Sequence, residues 1–376
     1  MMPSGETRGS APRAGQDALH MARALELAAR GLYTTEPNPR VGCVVVRDDR
    51  VVGDGWHERS GEPHAEVFAL RAAGPQARGA TVYVTLEPCC HTGRTPPCSD
   101  ALIEAGVARV VCSAADPNPE VAGGGIARLR AAGIEVSVGE MAAATRRLNV
   151  GFFSRFERGR PFVRLKLAMS LDARTAPASG ERLWISSEES RADVQKLRAQ
   201  SGAILTGAGT VRADNPRLDV RLAYGAWIRQ PLRVLLDPML TCPTGAHIFQ
   251  GGGALVFAAA DAPLRSESAA PVDAARVEAM PRAVGGLDLR AVTQRLGELQ
   301  INELLVECGP RLAGAFVTAQ LVDELILYVA PCLLGADAAP LLAVSGLGAG
   351  LLPAFDLLDV KRIGPDLRLS FAPRQA

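Results

Sequence analysis

The sequence predicts a two-domain α/β protein. Three observations carry that reading: chain length, a recurring alternation of strand-like and helix-like segments, and a charged connector near the middle. The chain has 376 residues, enough for two domains of roughly 100–200 residues each. Hydrophobic residues make up 48% and charged residues 22%, which suits a buried core and excludes a disordered chain. Short β-branched runs alternating with 3.6-residue periodicity imply helices packed on a central sheet, a three-layer arrangement. Forty-one basic and 40 acidic residues leave a net charge of +1, which argues against an extended nucleic-acid surface.

Residues 1–17, rich in Gly, Ser, Pro and Arg, read as a disordered N-terminal extension without a secretory signal. From Ala18, the residues Met21, Leu25 and Ala28 keep helical spacing until Gly31. Val41–Val46 reads as a strand that turns at Asp48-Asp49 into a second, Arg50–Trp56. A helix from His64 to Gly74, a strand over Ala80–Leu86, a helix over Cys98–Ala105 and a strand over Ala108–Ser113 follow. Helix Ile126–Ala132 and strand Ile134–Val138 complete this domain, assigned to residues 18–159. Residues 140–160 read as a helix and then a charged connector, Arg155–Arg160, before Pro161 opens the next strand.

The second domain, 160–376, is expected to hold strand Phe162–Ala168, a helix over Arg191–Gln200, and strands Ala203–Thr206 and Leu232–Leu236. Gly251–Gly253 and the stretch 258–272 read as turns and surface loop. Strand Glu303–Glu307, helix Leu312–Ala319 and strand Glu324–Ala330 come next. The uncharged run Ala338–Phe355 nears membrane-spanning length, but its prolines and glycines mark a buried loop and short helix, so no membrane partner is expected. Eight cysteines without a secretory signal place the chain in a reducing, cytoplasmic setting, where clustered Cys and His favour metal over disulfide.

The sharpest constellation lies between residues 64 and 98. His64-Ala65-Glu66 opens a helix, Pro88-Cys89 follows a strand, and Cys98 opens the next helix. One imidazole and two thiolates make a three-ligand zinc set that leaves the fourth position to water. Zinc brings a bound water to a pKa of about 7, and Glu66, a non-ligand carboxyl in the same turn, can handle its protons. Cys90 and His91 are ligands by type only, since adjacent side chains rarely converge on one ion. Cys43 and Cys112 read as core, and His57 as an exposed residue after a strand.

His-x-Glu followed by Pro-Cys resembles the zinc nucleobase deaminases. The second cysteine departs from their pattern, lying nine positions after Cys89 rather than three. The intervening loop ends Gly93-Arg94-Thr95-Pro96-Pro97-Cys98. With Pro37-Asn38-Pro39, Gly61-Glu62-Pro63-His64-Ala65-Glu66, Thr85-Leu86-Glu87-Pro88-Cys89 and Asp116-Pro117-Asn118-Pro119, it resembles the bifunctional riboflavin-biosynthesis deaminase/reductase family. That resemblance implies a cytidine-deaminase-like first domain acting on 2,5-diamino-6-(5-phosphoribosylamino)pyrimidin-4-one. Arg94 would take the substrate 5′-phosphate, Asn38 a ribose or base edge, and the loop bearing Asn118 would close on the same pocket.

The second half lacks the Gly-x-Gly-x-x-Gly dinucleotide fingerprint. Its Thr206–Thr210 and Val306–Ala315 segments join strand to helix, where Gly serves a tight turn and a bound phosphate equally well. The strings Leu165-Lys166-Leu167-Ala168, Ser170-Leu171-Asp172, Arg198–Ser201, Thr210–Pro216 and Gln320–Leu325 resemble the same family's reductase domain. The implied fold is dihydrofolate-reductase-like and the implied cofactor NADPH. Carried over by position, the cofactor meets Ala168, Trp184, Thr210, Asp214, Gly309, Pro310, Arg311, Leu312, Ala313, Gly314 and Ala315. The substrate meets Arg182, Arg198, Leu218, Arg221 and Glu307, with three arginines suited to a phosphorylated sugar. Lys166 and Glu307 are the candidates for polarising and protonating the sugar where hydride arrives. The resemblance further implies a homodimer through this domain. A zinc deaminase of nucleotides or tRNA with a non-reductase second domain is the rival reading, and it leaves the second half unexplained.

Overall fold

Val44, Val46, Tyr83 and Val111 point to one face of a sheet, while Cys43, Val45, Val82, Val84, Val110 and Cys112 point to the other. That alternation builds the first of two units in a computed structural model describing residues 10–91, 96–181, 183–222, 228–262, 275–344 and 354–374. The units are Met1–Glu157 and Arg158–Ala376. The first contains α1 (Ser10–Ala29), β1 (Gly42–Arg47), β2 (Arg50–Trp56), α2 (Ala65–Ala73), β3 (Thr81–Leu86) and α3 (Cys98–Ala105). It continues with β4 (Arg109–Ala114), α4 (Gly124–Ala131), β5 (Glu135–Val138), α5 (Ala142–Leu148) and α6 (Val150–Arg158).

The sheet order is β2-β1-β3-β4-β5. β1 runs antiparallel to both neighbours, and β3, β4 and β5 are parallel. Met21, Ala24 and Leu27 of α1 cover one face, and Ala65, Ala69 and Ala73 of α2 with Leu102 of α3 cover the other. At Gly42 an added Cβ would lie 1.9 Å from the Ala24 carbonyl oxygen, so α1 can seat on β1 only because that residue is glycine.

Two expectations for this unit need correction. Residues 10–17, expected in the disordered extension, belong to α1, and residues 1–9 lie outside the described set. The physical reason is Asp17, a buried carboxylate that accepts from Tyr83 Oη at 2.8 Å and from both terminal nitrogens of Arg109 at 2.8 and 2.7 Å. The charged connector starts later than expected, because Arg155–Arg158 continue α6. Its inner side buries Phe152 and Phe153, and Arg155 spreads over the Phe156 ring at 4.2 Å.

The second unit comprises β6 (Phe162–Ser170), β7 (Arg174–Ala176), α7 (Glu188–Gln200), β8 (Ala203–Gly207), α8 (Ala208–Asp214), β9 (Leu232–Leu236) and β10 (Ala254–Ala259). Then come β11 (Ala275–Met280), β12 (Arg282–Ala283), β13 (Gly286–Leu287), α9 (Leu289–Glu298), β14 (Glu303–Glu307), α10 (Pro310–Thr318) and β15 (Glu324–Ala330). β16 (Ala339–Pro340), β17 (Phe355–Ile363) and β18 (Asp366–Pro373) finish it. The main sheet has nine strands ordered β11-β10-β9-β8-β14-β6-β15-β18-β17. Its first seven strands are parallel, and β18 and β17 close it antiparallel. α9 and α10 bury Val292, Leu296, Ala313 and Phe316 on one face; Val194 and Leu197 of α7 pack on the other.

Ala258 and Ala259, expected in a surface loop, instead end the wholly buried β10, while residues 263–274 lie outside the described set. A run of alanines is a weak strand signal, and here burial on both faces overrides it. The run 338–355 enters β16 at Ala339; residues 345–353 are outside the described set, so the expected short helix goes unseen. Among the described residues no helix is long and apolar enough to cross a membrane.

Asp17→Ala removes two charge-assisted bonds from the Arg109 guanidinium and leaves it Glu135 and Ser137, a loss of about 2 kcal/mol. Urea unfolding of the first unit should show that deficit, with Asp17→Asn retaining part of the stability. An unchanged midpoint would mean that α1 is not anchored by this pair.

Candidate functional site

α2 begins directly after His64, whose extended backbone caps the helix while its imidazole makes no capping bond. Cys89 stands three residues beyond the end of β3, and Cys98 is the first residue of α3 behind Pro97. These three elements bring His64 Nδ1, Cys89 Sγ and Cys98 Sγ within 4.8 Å of one another. His64 Nδ1 lies 3.3 Å from Cys98 Sγ and 3.6 Å from Cys89 Sγ, and the Cys98 backbone N–H donates to Cys89 Sγ at 3.3 Å. None of the eight cysteines forms a disulfide. One imidazole nitrogen and two thiol sulfurs facing a common point fit Zn²⁺ by donor type and number. Hydrogen bonding from Cys98 and His64 favours the thiolate of Cys89, while the bond to Cys89 and burial push the Cys98 thiol up.

Glu66 is 3% exposed in the first turn of α2. Burial raises its carboxyl above the ordinary range, against the opposing pull of His64. Cys90 is turned away, its sulfur 3.8 Å from the Glu120 carbonyl oxygen. Cys43 and Cys112 are core residues, fully buried, as the sequence reading expects.

His57 corrects an expectation. Read as exposed, it is 3% exposed, because the chain leaving β2 folds inward. Its Nδ1 donates to the Pro63 carbonyl oxygen at 3.1 Å, and its Nε2 accepts from the Asn38 side-chain amide at 3.1 Å. Its ring meets that of His64 edge-on at 5.5 Å, so Asn38 is tied towards the candidate metal position through His57. Burial lowers the pKa of His57 and favours the neutral ring that this bonding needs. Asn118 sits in the loop after β4, where its backbone N–H reaches Asp116 Oδ1 at 2.8 Å and its Oδ1 accepts from Glu120 N at 3.1 Å. Arg94 lies outside the described residues.

Glu87 was missed. This buried carboxyl accepts from the backbone N–H groups of Asp116, Gly123 and Ile126. Its signal was present in Thr85-Leu86-Glu87-Pro88-Cys89, an acidic residue just after an apolar strand and two positions before a candidate ligand.

In the second unit, parallel register sets Glu307 at the end of β14 beside Lys166 in β6, with Lys166 Nζ 4.0 Å from Glu307 Oε2. Arg198 of α7 engages Glu307 bidentately, at 2.6 and 3.0 Å, and its third nitrogen donates to the Asp219 carbonyl oxygen at 3.1 Å. Arg221 pairs with the Asp219 carboxylate at 2.9 Å. Asp219, another residue missed, thus links two of the three arginines, and the Arg198 fork is spent on protein groups. Arg182 lies outside the described residues. Leu218 is buried, with a left-handed φ of 53°. Lys166 Nζ also stands 5.7 Å from the centre of the Tyr328 ring, whose hydroxyl donates to Asp193 at 2.8 Å.

Burial alone would raise the Glu307 carboxyl, but Arg198 and Lys166 outweigh it and hold it below the ordinary carboxylate range. For Lys166, burial wins over Glu307 and lowers its pKa.

The cofactor candidates divide. Thr210 Oγ1 accepts from Gly309 N at 3.1 Å, and Gly207 faces Leu312, so the starts of α8 and α10 meet. α10 starts at Pro310 without a side-chain cap, leaving its first amides suited to an anion. Arg311 is exposed, Ala313 and Gly314 are buried, and Ala315 continues the helix. Gly314 lets the Ala343 carbonyl oxygen approach, 2.3 Å from where a Cβ would stand. Asp214 closes α8, and Ala168 lies beside Tyr328 in the sheet. Trp184 is 62% exposed, with Arg191 over its ring at 5.2 Å.

Glu307 has a folded pKa below its unfolded value of about 4.3. Its contribution to stability is complete above that pH and disappears as pH falls through the folded pKa. Glu307→Gln should therefore cost about 2 kcal/mol at neutral pH, because Arg198 exchanges a bidentate charged partner for one neutral acceptor while keeping the Asp219 carbonyl. It should also flatten the acid limb of the second unit's unfolding curve. A limb of unchanged slope would assign the titration to another group.

Comparison with known proteins follows the same division. Residues 14–114 match the family described as cytidine and deoxycytidylate deaminase zinc-binding region, and residues 161–369 the RibD C-terminal domain. The chain is 51% identical to riboflavin biosynthesis protein RibD of Escherichia coli K12, over 94% of this chain and 98% of that one. It is 45% identical to RibD of Haemophilus influenzae, over 96% and 98%. The structure of Acinetobacter baumannii RibD superposes with a TM-score of 0.90 at 45% identity, over 96% of this chain and 100% of that one. A diaminohydroxyphosphoribosylaminopyrimidine deaminase/5-amino-6-(5-phosphoribosylamino)uracil reductase from Thermotoga maritima gives 0.84 at 33%, with the same coverage.

Proposed function

The chain belongs to the RibD family, and on that premise we propose how its two sites divide the work. It is a bifunctional enzyme of riboflavin biosynthesis, a zinc-dependent deaminase and an NADPH-dependent reductase in one chain. The first unit acts on 2,5-diamino-6-(5-phosphoribosylamino)pyrimidin-4-one, and the second reduces the ribosyl group of the deaminated product to ribityl. The observation that carries this reading is the convergence of His64, Cys89 and Cys98 beside a buried, non-ligating Glu66.

When bound, zinc acidifies a water and NADPH donates hydride. The rest of the chemistry belongs to the protein. His64, Cys89 and Cys98 hold the ion, and Glu66 takes a proton from the attacking water and returns it to the amine that leaves as ammonia. Asn38, steadied by His57, and Asn118 orient the pyrimidine ribotide, with Arg94 on its phosphate.

In the second unit Lys166 supplies the proton as the sugar ring opens, because burial makes it a readier acid than an exposed lysine. Glu307, held anionic by Arg198, orients Lys166 rather than acting as the acid. The junctions around Thr210, Asp214 and Gly309–Ala315 take the cofactor with Ala168 and Trp184; Arg182, Leu218 and Arg221 are assigned to the substrate.

Two copies pair through the second unit in the cytoplasm. The outermost strands support this, since Leu357, Leu358 and Val360 of β17 and Leu367 of β18 are each 43–59% exposed.

Incubation with the diaminopyrimidine ribotide and NADPH should yield a deaminated and reduced product by mass spectrometry. Glu66→Ala should cut ammonia release by at least about 10²-fold while keeping one zinc per chain, and joint loss of metal would give Glu66 a folding role. Arg221→Ala should slow reduction alone. In sedimentation equilibrium, Leu358→Asp should shift the mass from dimer to monomer.

A further inference from the structure

We infer that Glu87 is a positioning residue of the deaminase site, fastening the loop that bears Asn118 to the turn that presents Cys89; this rests on the functional reading above. Glu87 is 4% exposed and follows directly on β3, two residues before Cys89. Its Oε2 accepts from Asp116 N at 3.2 Å and Gly123 N at 3.0 Å, and its Oε1 accepts from Ile126 N at 3.1 Å. Those donors bracket the loop 116–126 at its start, its turn and the first turn of α4. One side chain therefore closes a loop that has no strand to hold it.

The docking is close by independent signs. A Cβ at Gly125 would stand 1.9 Å from the Pro88 carbonyl oxygen, and one at Gly124 would stand 2.7 Å from Cys90 Sγ. Arg128 Nη1 donates to the Cys90 carbonyl oxygen at 3.4 Å. The residues flanking Cys89 on both sides thus carry the loop. Between its anchors, Asp116 Oδ1 takes the Asn118 N–H, and Asn118 Oδ1 takes the Glu120 N–H, leaving the Asn118 side-chain NH₂ as the group to offer a substrate. A shift of this loop moves Asn118 without touching His64, Cys98 or Glu66.

Glutamine at 87 keeps the size but turns one acceptor into a donor, so at least one of the three N–H groups loses its partner. Glu87→Gln should keep one zinc per chain, leave reduction of the deaminated ribotide unchanged, and raise the deaminase KM about 10- to 100-fold with kcat within about threefold. Combined with Asn118→Ala, the KM effects should fall well short of additive, because both act through one contact. Glu87→Asp, one methylene shorter, should give the same split and serves if the glutamine variant does not accumulate folded. An unchanged KM, additive effects, or zinc lost in step with activity would each overturn the inference. A wild-type enzyme that does not turn over the ribotide would overturn the functional reading itself, a result separate from any behaviour of the variants.

Discussion

Parallel pairing of neighbouring strands is the constraint from which both sites follow. Parallel strands deliver their carboxyl ends to one edge of a sheet, and the crossovers bring helix starts back to it. In the first unit β3 and β4 pair with Leu86 opposite Ala114, so the turn carrying Cys89 and the loop carrying Asn118 leave the sheet side by side. The second unit repeats this with β8, β14 and β6, which release the Gly207 and Gly309 junctions at one edge. In the first unit the antiparallel β1–β2 hairpin opens onto the same edge, since Gly42 pairs with Trp56 and its N–H meets Thr85 near the end of β3. His57 and the turn to His64 therefore arrive there too. In the second, β18–β17 close the sheet at its far side.

Each unit then places ionisable groups where water is scarce and balances them differently. Around His64 the groups are a neighbouring acid and two thiols of a type that could hold a metal, with little cationic charge beside them. Around Glu307 the charges compensate one another, with Arg198 and Lys166 against one carboxylate. The first arrangement has room for a cation; the second is already filled by the protein's own cations, and its contribution is orientation. Anchors such as Asp17–Arg109 and Asp193–Tyr328 tie helices to sheets.

Much of this was legible in the residues. Several strands, including Glu303–Glu307 and Glu324–Ala330, were readable because β-branched and leucine-rich runs ended at clear breakers. The grouping of His64, Cys89 and Cys98, whose donor atoms lie within 4.8 Å of one another, was readable because one imidazole and two thiols fall at a strand exit and two helix starts. What stayed hidden was long-range. Nothing near Asp17 announces Arg109, 92 residues away, and nothing in Leu218-Asp219-Val220 announces that Asp219 joins two arginines. His57 looked exposed because its partners, Asn38 and Pro63, come from separate turns. β10 was hidden by its alanines, which carry little strand preference of their own.

The register of β14 against β6 has one more consequence. Glu307 faces Lys166 because these strands align residue for residue, Glu303 with Phe162 through to Glu307 with Lys166. Side chains alternate across a strand, so a slip of one residue would send Lys166 and its partner to opposite faces. The Lys166–Glu307 pair is therefore indexed to the hydrophobic pattern of the sheet itself: the leucines and valines that bury the strands also count out where these two side chains meet. Length changes are tolerable in the connections, but within these two strands a single insertion or deletion would misalign the site even if the fold survived.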